Sequence, residues 1–405
     1  MAGKPQSILI DKDLRPVYYD AFHCIMESCQ LNCCKDGWHI GLSKKDYETI
    51  KSQKGSPELN QRLEHCVRRI RKGRFAGRDY GKLVLQDGVC PLLQDGICSL
   101  QREKGASVLP KVCRVFPRLE DYAPSGYYER SLTVACEGVL DLLWNLPEGI
   151  DFVSDPLPRE AWRNLENPEG CLLLPWFQGI RSVCIDILQS RHTPLPERIF
   201  TMGMALRELA EGEADIPRWL ERTAVLREQV KEERFLRRDR NSLSLFLAHN
   251  ANILHVLTRS GKRKMQALID ALDLERDPES GQITISGGAY LKAEARFQES
   301  LGAQDWFWEN LMVALFYGWR LPDCNSPELL WHSYVNFCNL YSVYRFLSVM
   351  SCREGAAGDR NELFRLLVLV SRALIHSSGA LNTLGDWLYR NDSVSLAHMA
   401  ILLEG

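Results

Sequence analysis

Eight cysteines set the chemistry open to this chain. Cys24, Cys29, Cys33 and Cys34 fall within eleven positions, and Cys90, Cys98, Cys113 and Cys136 follow, each in a short apolar or turn-rich setting. Thiolates are soft ligands, and a dense set of them selects zinc, copper(I) or an iron–sulfur cluster. Zinc knuckles draw their ligands from close C-x2-C pairs. Here the spacings are C-x4-C, C-x3-C and then an adjacent cysteine, and no C-x2-C occurs anywhere. That tilts the reading toward iron–sulfur, with zinc as the alternative. Four thiolates per cluster is the usual requirement, so eight would hold one four-iron cluster plus a second metal, or one cluster plus packing cysteines. Neighbouring residues in extended backbone point opposite ways, so Cys33 and Cys34 either serve two sites or leave one spare.

Other signatures are missing. There is no G-x-x-x-x-G-K-[ST] phosphate loop, no strand-borne G-x-G-x-x-G and no G-x-S-x-G elbow. The C-x3-C-x2-C pattern of radical enzymes is also absent, because Cys34 follows Cys33 at once. Cys171, Cys184, Cys324, Cys338 and Cys352 are scattered among apolar neighbours and read as core thiols.

Length and composition bound the rest. The chain has 405 residues and a formal net charge of −2, the balance of a soluble globular protein with no global pull toward nucleic acid or an anionic membrane. No apolar run reaches the ~20 residues of a membrane span, and the first twenty residues lack a secretory h-region. A cytoplasmic location is expected, where clustered cysteines bind metal or do redox work rather than form disulfides.

The elements that must carry these cysteines fall into two parts. Residues 1–150 are expected to form an irregular, cysteine-rich metal-binding region, and residues 151–405 a large α-helical array, so the fold class is mainly α. Residues 1–20 read as an extended leader and Trp38–Leu42 as a short strand. Ser43 caps a helix from Lys44 to about Ser52, with Asp46 three residues on. The repeat Leu85-Gln86-Asp87-Gly88-Val89-Cys90-Pro91-Leu92 and Leu93-Gln94-Asp95-Gly96-Ile97-Cys98-Ser99-Leu100 gives two Asp-Gly turns, each followed by a cysteine at the same place. Between Arg62 and Lys82 the chain is strongly basic, a pattern of a solvated face or of docking to an acidic partner. Residues 145–170 and 280–288 read as loops. Helical periodicity then marks segments near 171–190, 195–212, 216–235, 243–259, 262–274, 288–301, 304–319, 326–351, 360–377, 380–390 and 393–403.

Several motifs together resemble one family. Phe22-His23-Cys24, Cys29, Cys33-Cys34 and Gly37-Trp38 are followed by Cys90-Pro91-Leu92, Cys98-x-x-Gln101 and Leu109-x3-Cys113. Phe116-Pro117-Arg118, Ser131-Leu132 before Cys136, Glu309-Asn310-Leu311, and Ser371-Arg372-x3-His376 complete the series. This order resembles the flagellin lysine-N-methylase family. The chain departs from it at Glu137, where the family usually has Pro after the last cysteine, and at Phe116, where Tyr is common. The resemblance implies methyl transfer from S-adenosylmethionine to lysine side chains of flagellin, with an iron–sulfur cluster, a [4Fe-4S] centre, on the eight cysteines. Glu309 and His376 are the acid–base candidates, and Arg118 and Arg372 the candidates for holding the carboxylate of the methyl donor. The competing readings are a non-catalytic metal-binding module and a redox protein, each using the helices to bind a partner. Neither nucleic acid nor membrane is expected as a partner, and no oligomeric state is implied.

Overall fold

The computed structural model describes residues 7–35, 38–166, 173–211, 215–229, 234–259, 266, 269–270, 272, 274–277, 279, 283–302, 304–352, 358–374 and 380–404. They fall into two compact units. One comprises Phe22–Leu119 and Cys136–Gly138, and the other Met1–Ala21, Glu120–Ala135 and Val139–Gly405.

The larger unit is mainly helical and is built around the helix Pro327–Ser351. Ser326 caps it by accepting from the Leu329 amide at 3.1 Å, and Pro327 takes the first helical position, where a missing N–H costs nothing. From Leu330 to Met350 nearly every side chain is buried. A helix apolar on all sides must be enclosed, and here the helices Leu195–Ala210, Gly287–Leu301, Arg360–Leu374, Ala380–Arg390, Leu396–Leu403 and Arg240–Arg259 pack around it. Gly203 marks the closest approach: a Cβ there would occupy the place of the buried Tyr334 ring and hydroxyl. The helices Asp305–Gly318 and Phe177–Leu188 add a further layer. The expected segment 262–274 falls largely outside the described residues.

Short strands join this unit where loops were expected. Ser7–Ile10 pairs antiparallel with Arg163–Glu166, so both the N-terminal leader and the 145–170 stretch are partly sheet. A second sheet has the order Phe152–Val153, Asp13–Pro16, Tyr128–Leu132, Arg118–Tyr122. Ile283–Thr284, inside the expected 280–288 loop, pairs with Glu275–Arg276. Among the described residues no helix is long and apolar enough to cross a membrane.

The smaller unit holds a three-stranded antiparallel sheet, in which Gly81–Leu83 lies between Ile40–Leu42 and Val67–Arg69. The helices Lys44–Lys51 and Pro57–Cys66 accompany it. Ser43 and Asp46 form the full capping box. Both Asp-Gly turns have positive φ at each central residue, 49° and 80° at Asp87-Gly88 and 48° and 80° at Asp95-Gly96. This is the type I′ geometry that suits a two-residue hairpin. The second turn joins the paired strands Leu93–Gln94 and Ile97–Cys98.

One buried histidine makes the helical unit sensitive to acid. His249 is 7 % exposed, shares a 3.0 Å hydrogen bond with Asn339 Oδ1, and burial pulls its pKa down to about 4. Above about pH 6.5 the ring is neutral in both folded and unfolded chains. As pH falls from there toward 4 the unfolded chain takes up a proton that the folded chain refuses, so stability drops by about 1.4 kcal/mol per pH unit, roughly 3 kcal/mol over the window. Urea unfolding at pH 7 and pH 4.5 should show that loss in the native protein and a smaller one in His249→Asn. Equal losses would remove His249 as its source.

Candidate functional site

In the smaller unit the backbone brings most of the predicted ligands together. The Cys90 amide donates to the Cys34 carbonyl at 2.8 Å, which sets the first Asp-Gly corner against the vicinal pair. Asn32 ties the second corner to the same segment: its Nδ2 donates to the Gly96 carbonyl at 2.8 Å, and its Oδ1 accepts from the Cys34 amide at 2.9 Å. Trp38 Nε1 donates to the Cys33 carbonyl at 2.8 Å, and the indole stacks edge-on against Phe116, which precedes Pro117. Cys34, Cys98 and Cys113 are half-buried against a core that includes Cys90 and Cys66.

These thiols act on one another. Cys34 lies in hydrogen-bond reach of both Cys33 and Cys90, and that pairing pushes its pKa far up while pulling that of Cys90 down. Cys34 is the thiol that donates, and Cys90 the sulfur whose thiolate form is favoured. Burial raises Cys98 and Cys113, and nearby Cys90 and Cys33 add to the effect. Cys66 belongs to the same neighbourhood, its thiol raised to about 12 by burial and by Cys90. Cys66 is not among the eight predicted ligands; it sits buried at the end of the helix Pro57–Cys66.

Glu137 ties together the segments that carry the remaining predicted ligands, Cys24, Cys29 and Cys136. Glu137 Oε2 accepts from the amides of Gln30 and Leu31 at 2.9 and 3.1 Å and from Cys29 Sγ at 3.5 Å. Gly138 packs against Phe22 and Ile25. Cys136-Glu137-Gly138 therefore runs beside the segment that carries Cys24 and Cys29, and Glu137, the departure from the family pattern, is what fastens it. Cys24 itself is exposed. The basic stretch is partly engaged within the unit: Arg69 lies over Tyr80, and Arg74 and Arg78 over Phe75, whose other neighbour is the stacked His39 ring bonded to Asp79 at 2.8 Å.

The donor chemistry suits a thiolate-bound metal, since soft sulfur ligands converge from four chain segments. As the side chains stand they form a hydrogen-bonded thiol group: among the described residues no three His, Cys, Asp or Glu side chains are arranged to hold a metal ion. Binding a metal there would require Cys34 to give up its shared proton. Cys184, Cys324, Cys338 and Cys352 are buried in the helical unit.

The helical unit places the other predicted residues. Glu309 is 1 % exposed and accepts from two arginines: Arg191 through Nε at 3.0 Å and Nη2 at 2.8 Å, and Arg198 through Nη1 at 2.6 Å. Arg198 also donates to the Leu188 carbonyl. Arg372 is buried and donates from Nε to the Ala135 carbonyl at 3.0 Å. Arg118, in the smaller unit, donates to the Phe22 carbonyl at 3.3 Å and stacks over the Phe22 ring. His376 lies outside the described residues.

Two cavities flank the Arg198–Glu309 pair. One, of about 510 Å³, is lined on its polar side by Glu148, Asp151, Asp186, Arg191, His192 and Glu309. The other, of about 400 Å³, has Arg198, Arg238 and Arg345 facing Phe297, Trp308 and Tyr341. Arg238, Arg345 and the aromatic walls come from segments far apart in sequence, which is why no short motif announced them.

The second cavity mixes aromatic and charged side chains within the helical unit, the kinds of group that can hold a small molecule. Residues 181–402, more than half of the chain and the part that carries both cavities' arginines, match the family model described as the FliB lysine N-methylase C-terminal domain. The chain belongs to that family, the flagellin lysine N-methylases. No curated protein and no solved structure matches it.

Proposed function

We propose that this protein transfers methyl groups from S-adenosylmethionine to lysine side chains of flagellin. The observation that carries the reading is the family match across residues 181–402. A lysine amine has an ordinary pKa near 10.4 and is protonated at neutral pH. The reaction therefore needs the amine stripped of its proton and aligned in line with the sulfonium methyl, so that the new N–CH₃ bond forms as the S–CH₃ bond breaks and the thioether leaves.

Glu309 enters this reading as a positioning residue, since two arginines already occupy its carboxylate; His376 remains the second acid–base candidate. In the same reading Cys33, Cys34, Cys90, Cys98 and Cys113 supply the thiolates for an iron–sulfur cluster, with Cys24, Cys29 and Cys136 as the remaining donors. Bound there, a cluster would tie four chain segments together. The exposed arginines between Arg62 and Lys82 suit an acidic protein surface and would speed encounter in a salt-dependent way. Methyl transfer to flagellin in a purified system, read by peptide mass spectrometry, tests the proposal.

A further inference from the structure

The cavity of about 400 Å³ in the helical unit carries two kinds of unfinished business. Arg198 is 4 % exposed, its Nη1 is committed to Glu309 and the Leu188 carbonyl, and its Nε has no hydrogen-bond partner. Glu404, also in the lining, uses Oε1 to accept from the Arg237 amide at 2.8 Å, while its buried Oε2 has no partner. Buried polar atoms are almost always paired, so an unpaired donor and an unpaired acceptor on two residues that line one cavity point to a ligand whose entry pairs both.

The rest of the lining narrows the ligand. Phe297, Trp308 and Tyr341 are buried, at 1, 7 and 5 % exposure, and offer flat apolar walls. Arg345 stacks 4.5 Å over Phe297 and reaches Glu294 only at 4.0 Å, while Arg238 holds Glu294 through two bonds of 2.9 and 2.8 Å. Arg345 therefore has charge to spare. A bare lysine side chain would satisfy Glu404 but has no acceptor to offer the arginines. A ligand with a carboxylate, an ammonium, a second positive centre and an aromatic ring fits it well.

We infer that this cavity binds the methyl donor, with the α-carboxylate of S-adenosylmethionine served by Arg198 and Arg345, its ammonium by Glu404, and its adenine and sulfonium by the aromatic walls. Cations and flat rings are both favoured against aromatic faces. The inference rests on the proposed function and adds its binding site. It replaces Arg118 and Arg372, the arginines singled out from the sequence, neither of which lines this cavity.

Calorimetry of the full chain with S-adenosylmethionine tests it. Arg345→Met keeps the stem over Phe297 and removes the charge; Glu404→Gln keeps the backbone contact. Each should weaken binding about ten- to a hundredfold, the loss expected with one charge-assisted hydrogen bond. Asp186→Asn, in the other cavity, should bind like the native protein. Hydrogen exchange on the native protein guards against a variant that misfolds: the ligand should slow exchange in residues 195–198 and 304–308. Tight binding by native protein that is unaffected in Arg345→Met and Glu404→Gln, or protection confined elsewhere, would overturn the site while leaving the proposed activity intact. Native protein that binds no S-adenosylmethionine would overturn the activity as well.

Discussion

Cys34→Ser protein, purified without oxygen, should lose most of its bound metal and be cut rapidly by protease within residues 22–119. Cys34 is the thiol through which the group is connected: it reaches Cys33 and Cys90 by side chain, and its backbone carbonyl receives the Cys90 amide. The unit around it has a small core whose edges are themselves cysteines, Cys34, Cys98 and Cys113. A region with so little apolar material draws folding free energy from a metal when one binds, so loss of a ligand should appear in both metal content and proteolysis. The native protein should be brown, with iron and sulfide. Colourless protein with stoichiometric zinc would replace the cluster with zinc and leave the thiol group standing. Cys184→Ala, in the helical unit, should retain its metal. Equal metal loss in Cys184→Ala and Cys34→Ser would refute the division between ligand and packing cysteines.

Glu309→Ala should destabilise the helical unit by about 3–5 kcal/mol, the cost typical of stranding a buried charge. The carboxylate is 1 % exposed, and its removal leaves the 4 % exposed Arg198 guanidinium without a counter-charge, while Arg191, nearer the surface, can reach water. Glu309→Gln retains an acceptor for both arginines and should cost less. Urea unfolding measures both. A stability within about 0.5 kcal/mol of the native protein in Glu309→Ala, the range of an ordinary surface change, would contradict the structural role. If Glu309→Gln unfolds like native protein and binds S-adenosylmethionine normally yet transfers no methyl, the carboxylate acts on the amine itself.

Local signals in the sequence translated well. Ser43 with Asp46 specified a helix start, and two Asp-Gly pairs specified two turns, because capping and positive φ depend on neighbouring residues alone. The long helices around Pro327–Ser351 were legible from apolar spacing for the same reason. Pairing over distance was not. Ser7–Ile10 meets Arg163–Glu166 across most of the smaller unit's sequence, and four-residue strands of mixed polarity carry too weak a period to reveal it. Ile283–Thr284 was hidden among glycines. The thiol group was readable as a set but not in membership: Cys66 joins it from a helix end, and Glu137 fastens the Cys29 segment from a position where proline was expected. The arginine and aromatic cavity was invisible, since Arg198, Trp308 and Arg345 meet only after three helices pack.

The most direct measurement is methyl transfer itself. Cluster-loaded protein, purified without oxygen, is mixed with S-adenosylmethionine carrying an isotopically labelled methyl group and with flagellin from the same cells, and peptides are read by mass spectrometry. The label is expected on flagellin lysine side chains, with less of it as ionic strength rises and none with Cys34→Ser protein. Unlabelled flagellin, in a preparation that holds its metal and binds S-adenosylmethionine, would contradict it.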